Sequence, residues 1–330
     1  MASAEDVRRE RAASVIARAL KTTEEETQCV AGMLAAAERP AAEFWQPGVC
    51  EQVMIPVSDA EIRVFHAAAP NASAVRPIVM IPGFGATPEG FQDFYAAVQG
   101  RAELFHLETR EKPSSRILNR RADMSVSRSA RDIQSALEYL GLARRDFVLV
   151  ALCWGAASVL QGLIEGCLEA PTIVLADPMH ALWFPKWVLR YVSPVLPSPT
   201  LLALRPFLVR SMLGDMREPT QRQRAVAFAY SADPWKWKKS AEAAWDFELY
   251  GRLSSVRREV FVLNGTRDKI HDQRHYPRVA QELPAGRFLY MPTDERCRER
   301  LFGVAALEMA RVRARDGLPA TLARFEKPVR

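Results

Sequence analysis

One stretch of ten residues constrains the fold of this chain more than any other. An apolar, β-branched run leads to a cysteine that has a small residue two positions away on each side, and a helical pattern follows: Phe147-Val-Leu-Val-Ala-Leu-Cys-Trp-Gly-Ala156. The pattern predicts a buried strand, a sharp turn at Cys153 and a helix. Ala151 and Gly155 are small enough for a strained turn, and the helix N-terminus favours a thiolate at Cys153. The alternative is that Cys153 is only a small buried hydrophobic residue.

The composition is typical of a globular protein, and 330 residues are enough for one large domain or two small ones. No apolar run is long enough to cross a membrane, and the first residues lack the pattern of a signal peptide. The net charge of +6 is modest, and the basic residues are spread along the chain without a nucleic-acid-binding module. We therefore expect no nucleic-acid partner, whereas CoA, a carrier protein or anionic lipid would suit the charge.

The cysteines favour a reducing compartment. They are five, an odd number, and they are scattered without the spacing of metal ligands: Cys29, Cys50, Cys153, Cys167 and Cys297. Because a disulfide framework needs paired cysteines, we expect a cytoplasmic protein. The sequence also leads us to expect no metal ion and no cofactor.

Segments with strand and helix patterns alternate along most of the chain. The predicted strands are 53–57, 61–66, 77–81, 103–107, 147–152, 171–176, 258–263 and 286–291. Helical patterns cover 127–141, the residues after Cys153, 276–283 and 298–313. This alternation predicts an α/β fold, with a mostly parallel sheet between two layers of helices and a ligand site beyond the carboxyl ends of the strands.

The break in this alternation predicts the domain organisation. The expected parts are an N-terminal helical extension (1–48), an α/β core in two segments (49–179 and 251–316), a helical insertion (180–250) and a C-terminal tail (317–330).

Three loops, together with the cysteine turn, resemble those of the α/β-hydrolase superfamily over about residues 53–312. The loops are Pro82-Gly-Phe-Gly85, Glu108-Thr-Arg-Glu-Lys-Pro-Ser-Ser115 and Asn264-Gly-Thr-Arg-Asp-Lys-Ile270. Taken singly, they also suit plain turns and a surface ion pair, but here they follow the order of that superfamily. The resemblance implies an α/β-hydrolase fold with a helical lid at the insertion.

The resemblance also implies roles for individual residues. Cys153 stands where the superfamily usually has its serine nucleophile. The backbone N–H groups of Phe84 and Trp154 would form the oxyanion hole, and Asp268 would be the catalytic acid. In having a cysteine at this turn, the chain is similar to polyhydroxyalkanoate synthases and dienelactone hydrolases. Both of those families, however, use a complete Cys-His-Asp set.

The chain departs from the superfamily at the histidine. The segment that should carry it reads Met291-Pro-Thr-Asp-Glu-Arg-Cys-Arg-Glu-Arg300, without a histidine. Arg296 or a neighbour occupies the position, and an arginine cannot act as a base. The chain therefore resembles a variant with a cysteine nucleophile and no histidine at the usual triad position.

Another histidine could serve as the base if it came within hydrogen-bond reach of the thiol. His271, three residues past the predicted acid, is the first candidate, and His180 at the carboxyl edge is the alternative. His66 and His106 fall in predicted strands and suit structural roles, and His275 is predicted to face solvent from the following helix. The third option is that no base is present.

These features lead to a hypothesis of acyl transfer or (thio)ester cleavage on an apolar acyl substrate, through a Cys153 acyl-enzyme. The substrate could be a small molecule or an acyl group linked to CoA or a carrier. A thiol can be acylated without a histidine, but hydrolysis would then be slow, which favours transfer. A different class of protein is the alternative: a pseudo-hydrolase that binds a hydrophobic ligand or partner. A lyase or isomerase that uses only the oxyanion hole is a third.

The insertion at 180–250 holds five of the seven tryptophans, interleaved with basic residues. As a substrate lid it would contact an apolar chain through Trp183, Trp187, Trp235 and Trp237, and its basic residues would suit an acidic head group or peripheral contact with a membrane. The alternative is a helical subdomain whose apolar residues form its own core. The oligomeric state is left open.

Overall fold

The structure, a computed structural model, describes residues 14–69, 75–182, 184–214, 216, 218–265 and 273–330. Within these ranges no helix is both long and apolar enough to span a bilayer. Asp268, His271 and Trp183 lie outside the described residues.

A single sheet of ten strands forms the centre of the fold. In chain order, the strands are β1 (Glu51–Val57), β2 (Ala60–Ala67), β3 (Ile78–Ile81), β4 (Leu104–Leu107), β5 (Arg116–Ile117), β6 (Val148–Leu152), β7 (Thr172–Ala176), β8 (Val260–Asn264), β9 (Gly286–Tyr290) and β10 (Glu326–Lys327). Their spatial order is β1-β2-β4-β3-β6-β7-β8-β9-β10, and β5 pairs with β2.

The inner strands run parallel and the two edges are antiparallel. All pairs from β4 through β3, β6, β7 and β8 to β9 are parallel. The hairpin of β1 and β2 and the pairing of β10 with β9 are antiparallel. All residues of β3, β6, β7 and β8 are buried, as expected for parallel strands covered on both faces.

Helices cover both faces of the sheet. In chain order, they are α1 (Glu24–Ala37), α2 (Gln92–Val98), α3 (Val126–Tyr139), α4 (Trp154–Glu165), α5 (Thr200–Leu213), α6 (Pro219–Ser231), α7 (Pro234–Ala243), α8 (His275–Glu282), α9 (Arg298–Ala310) and α10 (Ala320–Ala323). Alternate side chains of β3 enter two different apolar cores: Val79 and Ile81 join one, while Ile78 and Met80 join the other. The predicted α/β fold with helices on both faces is therefore confirmed.

The insertion after β7 is helical. It contains a π-helical turn and a 3-10 turn between residues 188 and 195, followed by α5, α6 and α7. Ala225 and Ala229 of α6 and Lys236 of α7 are buried, whereas α5 has no buried residue among its described side chains. The insertion thus has an inner layer that packs on the core and an outer layer that faces solvent. We call this insertion, residues 180–250, the lid.

Both ends of the described chain pack on the core. Helix α1 begins with a capping box in which Thr23 and Glu26 each accept the other's backbone N–H. Val30 and Leu34 of this helix are buried in the same core as α9. Near the other end, β10 extends the sheet beyond β9.

The turn between β6 and α4 packs so closely on β3 that it requires a glycine. A Cβ on Gly155 would lie 2.7 Å from the carbonyl oxygens of both Ile81 and Pro82. The two nearest contacts are backbone atoms, which cannot move aside as the end of a flexible side chain could.

We expect Gly155→Ala to lower the free energy of unfolding by about 1–3 kcal/mol, because overpacking in a core has this cost. Urea denaturation would measure it. Gly32→Ala is the matched control, since no atom lies within 4 Å of its Cβ and alanine favours the helix. Equal effects in the two variants would contradict the close contact.

Candidate active site

Cys153 occupies the turn that the sequence predicts, between β6 and α4. Its backbone has φ 47° and ψ −108°, a positive φ that a residue with a side chain rarely adopts. Its N–H donates to the carbonyl of Ala176 and its carbonyl accepts from Met179, so backbone hydrogen bonds to β7 and beyond hold the turn. A Cβ on Gly83 would lie 3.9 Å from the Sγ of Cys153. The half-buried thiol therefore lies directly beside the loop that follows β3.

Two backbone N–H groups beside the thiol suit an oxyanion hole. Trp154 is the first residue of α4, so its N–H has no acceptor within the helix. Within the described part of the chain, neither this N–H nor that of Phe84 donates to a protein acceptor. The rings of the two residues meet edge to face, with centroids 5.1 Å apart, and this contact fixes the loop against the helix.

A buried lysine supports the loop after β3. The Nζ of Lys112 donates to the carbonyl of Gly83 and, at 2.8 Å, to the Oε1 of Glu111. Neither side chain is exposed to solvent. Since unpaired charges are costly to bury, this pair adopts one arrangement, and it orients the carbonyl just before Phe84. The 108–115 segment is thus a buried support rather than the surface ion pair considered as an alternative.

A second lysine connects this support to the lid. The Nζ of Lys236, on α7, donates to the carbonyls of Lys112, Pro113 and Ser115 at 2.8, 3.1 and 2.7 Å. Burial lowers the pKa of Lys236 from its usual value. In the same helix, the Trp237 ring lies 5.2 Å from that of Phe84.

A cavity of about 260 Å³ opens in front of Cys153. Its apolar wall comes from the loop after β3 and from α6, with Phe84, Phe91, Leu152, Ala225 and Phe228. Polar groups are gathered at Gln221, Arg224, Arg298 and Glu299. None of the described residues that line the cavity is a histidine or a tryptophan. The lid therefore contributes α6 to this cavity, and the predicted contacts from Trp187, Trp235 and Trp237 are not found there.

The three described lid tryptophans have different surroundings. Trp187 is 63 % exposed, so it is a surface residue. Trp235 is half-buried. Trp237 packs on Phe228 as well as Phe84, and it prevents any side chain at Gly85, where a Cβ would lie 2.2 Å from the indole.

An ion pair lies at the carboxyl edge of the sheet, near the position of the absent histidine. Arg298 donates through Nε and Nη2 to the Oδ2 of Asp177, at 2.8 and 2.5 Å. Asn264 donates to the Oδ1 of the same carboxylate at 2.7 Å. Asp177 follows β7 directly, is fully buried and has a φ of 47°. Arg298, rather than Arg296, is therefore the arginine that the fold places at this edge.

A second polar group joins the lid to the core across the cavity. Glu299 accepts from Arg224 and, at 3.1 Å, from Gln221, both on α6. Arg224 also pairs with Asp93 at 3.0 Å. Burial raises the pKa of Glu299, although the neighbouring Arg224 and Arg298 act in the opposite direction.

His180, the alternative base, belongs to an aromatic cluster. Its ring centroid lies 4.0 Å from that of His275 and 4.5 Å from that of Tyr250. His275 was predicted to face solvent, but it is half-buried and contacts the Tyr250 hydroxyl at 2.8 Å. The ring of His275 is covered because this residue begins α8, next to the end of the lid. His66 and His106 lie in β2 and β4 and contact Glu103 and Tyr95, as structural residues would.

Sequence reasoning missed three polar residues of this region: Lys112, Asp177 and Glu299. Asp177 had a usable signal, because an acidic residue directly after a buried parallel strand lies at the edge where ligands bind. The two others had none, since their burial depends on the lid and on the loop after β3. No group of metal-ligating side chains is found among the described residues.

Comparisons with known proteins agree with this fold. The sequence profile of the Alpha/beta hydrolase family matches residues 78–298. A hydrolase from Pseudomonas aeruginosa PA01 superposes with a TM-score of 0.59 at 16% identity, over 76% of this chain and 92% of that one. A thermophilic esterase from Thermogutta terrifontis gives a TM-score of 0.56 at 16% identity, over 76% and 93%. An esterase from Exiguobacterium antarcticum gives 0.53 at 14% identity, over 70% and 87%. No curated protein sequence matches the chain.

We expect Asp177→Asn to lower the free energy of unfolding by on the order of 3 kcal/mol, because it breaks the buried ion pair with Arg298. Asparagine tolerates a positive φ, so the backbone adds little strain. Urea denaturation would measure the loss. The matched control is Glu61→Gln, which breaks an exposed pair with Arg116 and should cost less than about 1 kcal/mol. If both variants lost the same free energy of unfolding, the buried ion pair would contribute no more to stability than the exposed one.

Proposed function

Because the chain belongs to the alpha/beta hydrolase family, we propose that it transfers or cleaves an acyl group through a thioester on Cys153. The observation that carries the proposal is the position of Cys153. It lies in a strained turn at the N-terminus of α4, lines a cavity and has the loop after β3 alongside its sulfur. Strained residues beside a cavity are frequent at active sites.

In the proposed reaction, the Cys153 thiolate attacks the carbonyl carbon of an ester or thioester. The new S–C bond forms as electrons move to the carbonyl oxygen, which the N–H groups of Phe84 and Trp154 would stabilise. The intermediate collapses with loss of the alcohol or thiol, which takes up the proton from the cysteine. The acyl group then passes to an acceptor or to water.

The cavity supports an apolar acyl group of modest size. Its volume of about 260 Å³ lies near the lower end for ligand sites. The aromatic and aliphatic wall suits the acyl chain, and a CoA- or carrier-linked leaving group would extend toward solvent. We therefore propose an apolar acyl compound as the substrate.

We propose His271 as the proton acceptor and Asp268 as the catalytic acid; both follow β8 in the sequence. Arg298 is bound to Asp177, and no described residue lining the cavity is a histidine. If water is poorly activated, the acyl-enzyme should persist and transfer to a better nucleophile should dominate. We also propose that the protein acts in the cytoplasm.

A second candidate function is binding without chemistry. The ion pair between Arg298 and Asp177 favours it, because a paired arginine near the usual histidine position offers no base. A pseudo-hydrolase of this kind would hold a hydrophobic ligand in the same cavity.

The test is the intact mass of the protein after incubation with a panel of acyl-CoAs and activated esters. We expect the wild type to gain one acyl group and Cys153→Ala to gain none. Cys167→Ala is the matched control and should label like the wild type, because burial and Glu165 raise the pKa of that thiol. The decay of the adduct in water and with added acceptors separates hydrolysis from transfer.

Each remaining outcome rejects part of the proposal. Equal labelling of Cys153→Ala would show that another residue is the nucleophile. A folded wild type that forms no adduct with any donor, yet binds the acyl compounds, would favour the pseudo-hydrolase.

A further inference from the structure

The outer layer of the lid exposes an unusual amount of apolar surface. Of the eleven large hydrophobic side chains that are exposed in the described part of the chain, eight lie within residues 184–207. Val195, Phe207 and Tyr191 are 77, 71 and 65 % exposed. Large apolar patches of this kind mark sites of interaction with a protein or a membrane.

This surface does not belong to the cavity. Leu189 is the only buried residue between 184 and 207 for which burial is described, and none of these residues lines the cavity before Cys153. Contacts of the lid with the core come from Leu189 and from α6 and α7. The eight exposed apolar side chains of residues 184–207 therefore face away from the core, and their exposure to water is unfavourable unless something covers them.

The charge of the same segment is of one sign. Residues 181–214 contain no aspartate or glutamate, but they contain Lys186, Arg190, Arg205 and Arg210. None of the four forms an ion pair within the described residues. Arg190 and Arg205 lie over the rings of Trp245 and Tyr230, at 4.6 and 5.1 Å. Arginine heads beside aromatic rings and aliphatic tips suit the boundary between head groups and acyl chains of a bilayer.

We propose that the outer surface of the lid, residues 184–207, docks on an anionic lipid surface. The apolar tips enter the upper acyl region while the four basic residues remain among the anionic head groups. An anionic partner is favoured because the charged side chains of this part of the chain are all positive and attract it at a distance. The inference does not depend on the chemistry of Cys153.

Flotation with vesicles tests this docking. We expect the full chain to bind vesicles of phosphatidylcholine with phosphatidylserine, and to bind phosphatidylcholine alone much less. Phe207→Ser with Val195→Ser should lower the binding at least about tenfold, a loss that the burial of two apolar side chains can account for. Lys186→Glu with Arg210→Glu should remove the preference for phosphatidylserine. Cys153→Ala should bind like the wild type.

Tyr139→Ser is the matched control, because Tyr139 is 60 % exposed on α3, outside the lid. It should leave binding unchanged. The proposal is overturned if the wild type does not float with the anionic vesicles, or if the control loses as much binding as the lid variant. It is also overturned if light scattering shows a dimer that Phe207→Ser dissociates, without vesicle binding by either form, since a second copy would then cover the surface.

A second cavity has no lid residue among its described lining residues. Its volume is about 510 Å³, and it is formed between α1, the end of α2 and α9. The apolar part of the wall includes Met33, Val304 and Leu307. The N-terminal extension thus forms one side of a cavity whose other side is the core.

Three arginines surround this cavity, and their charges are poorly balanced. Arg311 pairs with Glu308. Within the described residues, Arg39 and Arg101 have neither an ion pair nor a side-chain hydrogen bond. Burial and the repulsion from Arg39 and Arg311 lower the pKa of Arg101. Each arginine follows the C-terminal end of a helix, where the helix dipole stabilises a cation. Stabilisation of the helix ends alone is therefore the alternative to a binding site.

From this arrangement we infer a binding site for a small molecule with a phosphate group next to an apolar part. Guanidinium groups match phosphate oxygens in charge and geometry, and the aliphatic wall would cover the apolar part. The volume lies within the usual range for ligand sites.

Isothermal titration with inorganic phosphate, pyrophosphate and octyl phosphate tests the site on the full chain. We expect octyl phosphate to bind most tightly, and Arg101→Gln to weaken it at least about tenfold. Arg120→Gln is the matched control, because it removes the same charge from an exposed arginine elsewhere. If the wild type binds none of the three, or Arg101→Gln binds as well as the control, the arginines serve only the helix ends.

Discussion

The contact of the turn at Cys153 with β3 is the constraint on which the site depends. Backbone lies against backbone there, because Gly155 touches the carbonyls of Ile81 and Pro82. The same contact brings the loop after β3 beside the sulfur. The position of the thiol relative to the Phe84 N–H is therefore set by the sheet rather than by mobile side chains, which is the condition for a preorganised oxyanion site.

Buried charge is the second organising feature of this part of the fold. Lys112 with Glu111, Arg110 with Asp132, and Arg298 with Asp177 are ion pairs in which at least one partner is fully buried. Such pairs add little net stability compared with apolar packing, but they tolerate few alternative arrangements. They fix the loop after β3 and the carboxyl edge of the sheet, while the apolar cores supply the driving force for folding.

Much of the fold was predictable from the sequence because its signals are local. The run before Cys153, the small residues around it and the alternation of strands with helices each depend on neighbours in the chain. The eight predicted strands agree with observed ones within one or two residues, while the two-residue strands β5 and β10 were not predicted. The site was less predictable. That Trp187 would be exposed, that α6 would line the cavity, and that Arg298 would pair with Asp177 all depend on residues far apart in sequence. Periodicity carries no information about such pairings.

The bonds made by Lys236 have a thermodynamic consequence. This lid residue holds main-chain carbonyls of the 112–115 segment, and Lys112 in turn holds the carbonyl before Phe84. The free energy of packing the lid on the core therefore depends on the conformation of the loop beside Cys153. Linkage is reciprocal, so a molecule that binds this loop more tightly when the lid is seated must hold the lid down by the same amount. Binding of such a molecule and the packing of α7 on the 112–115 segment would be energetically coupled through Lys112 and Lys236.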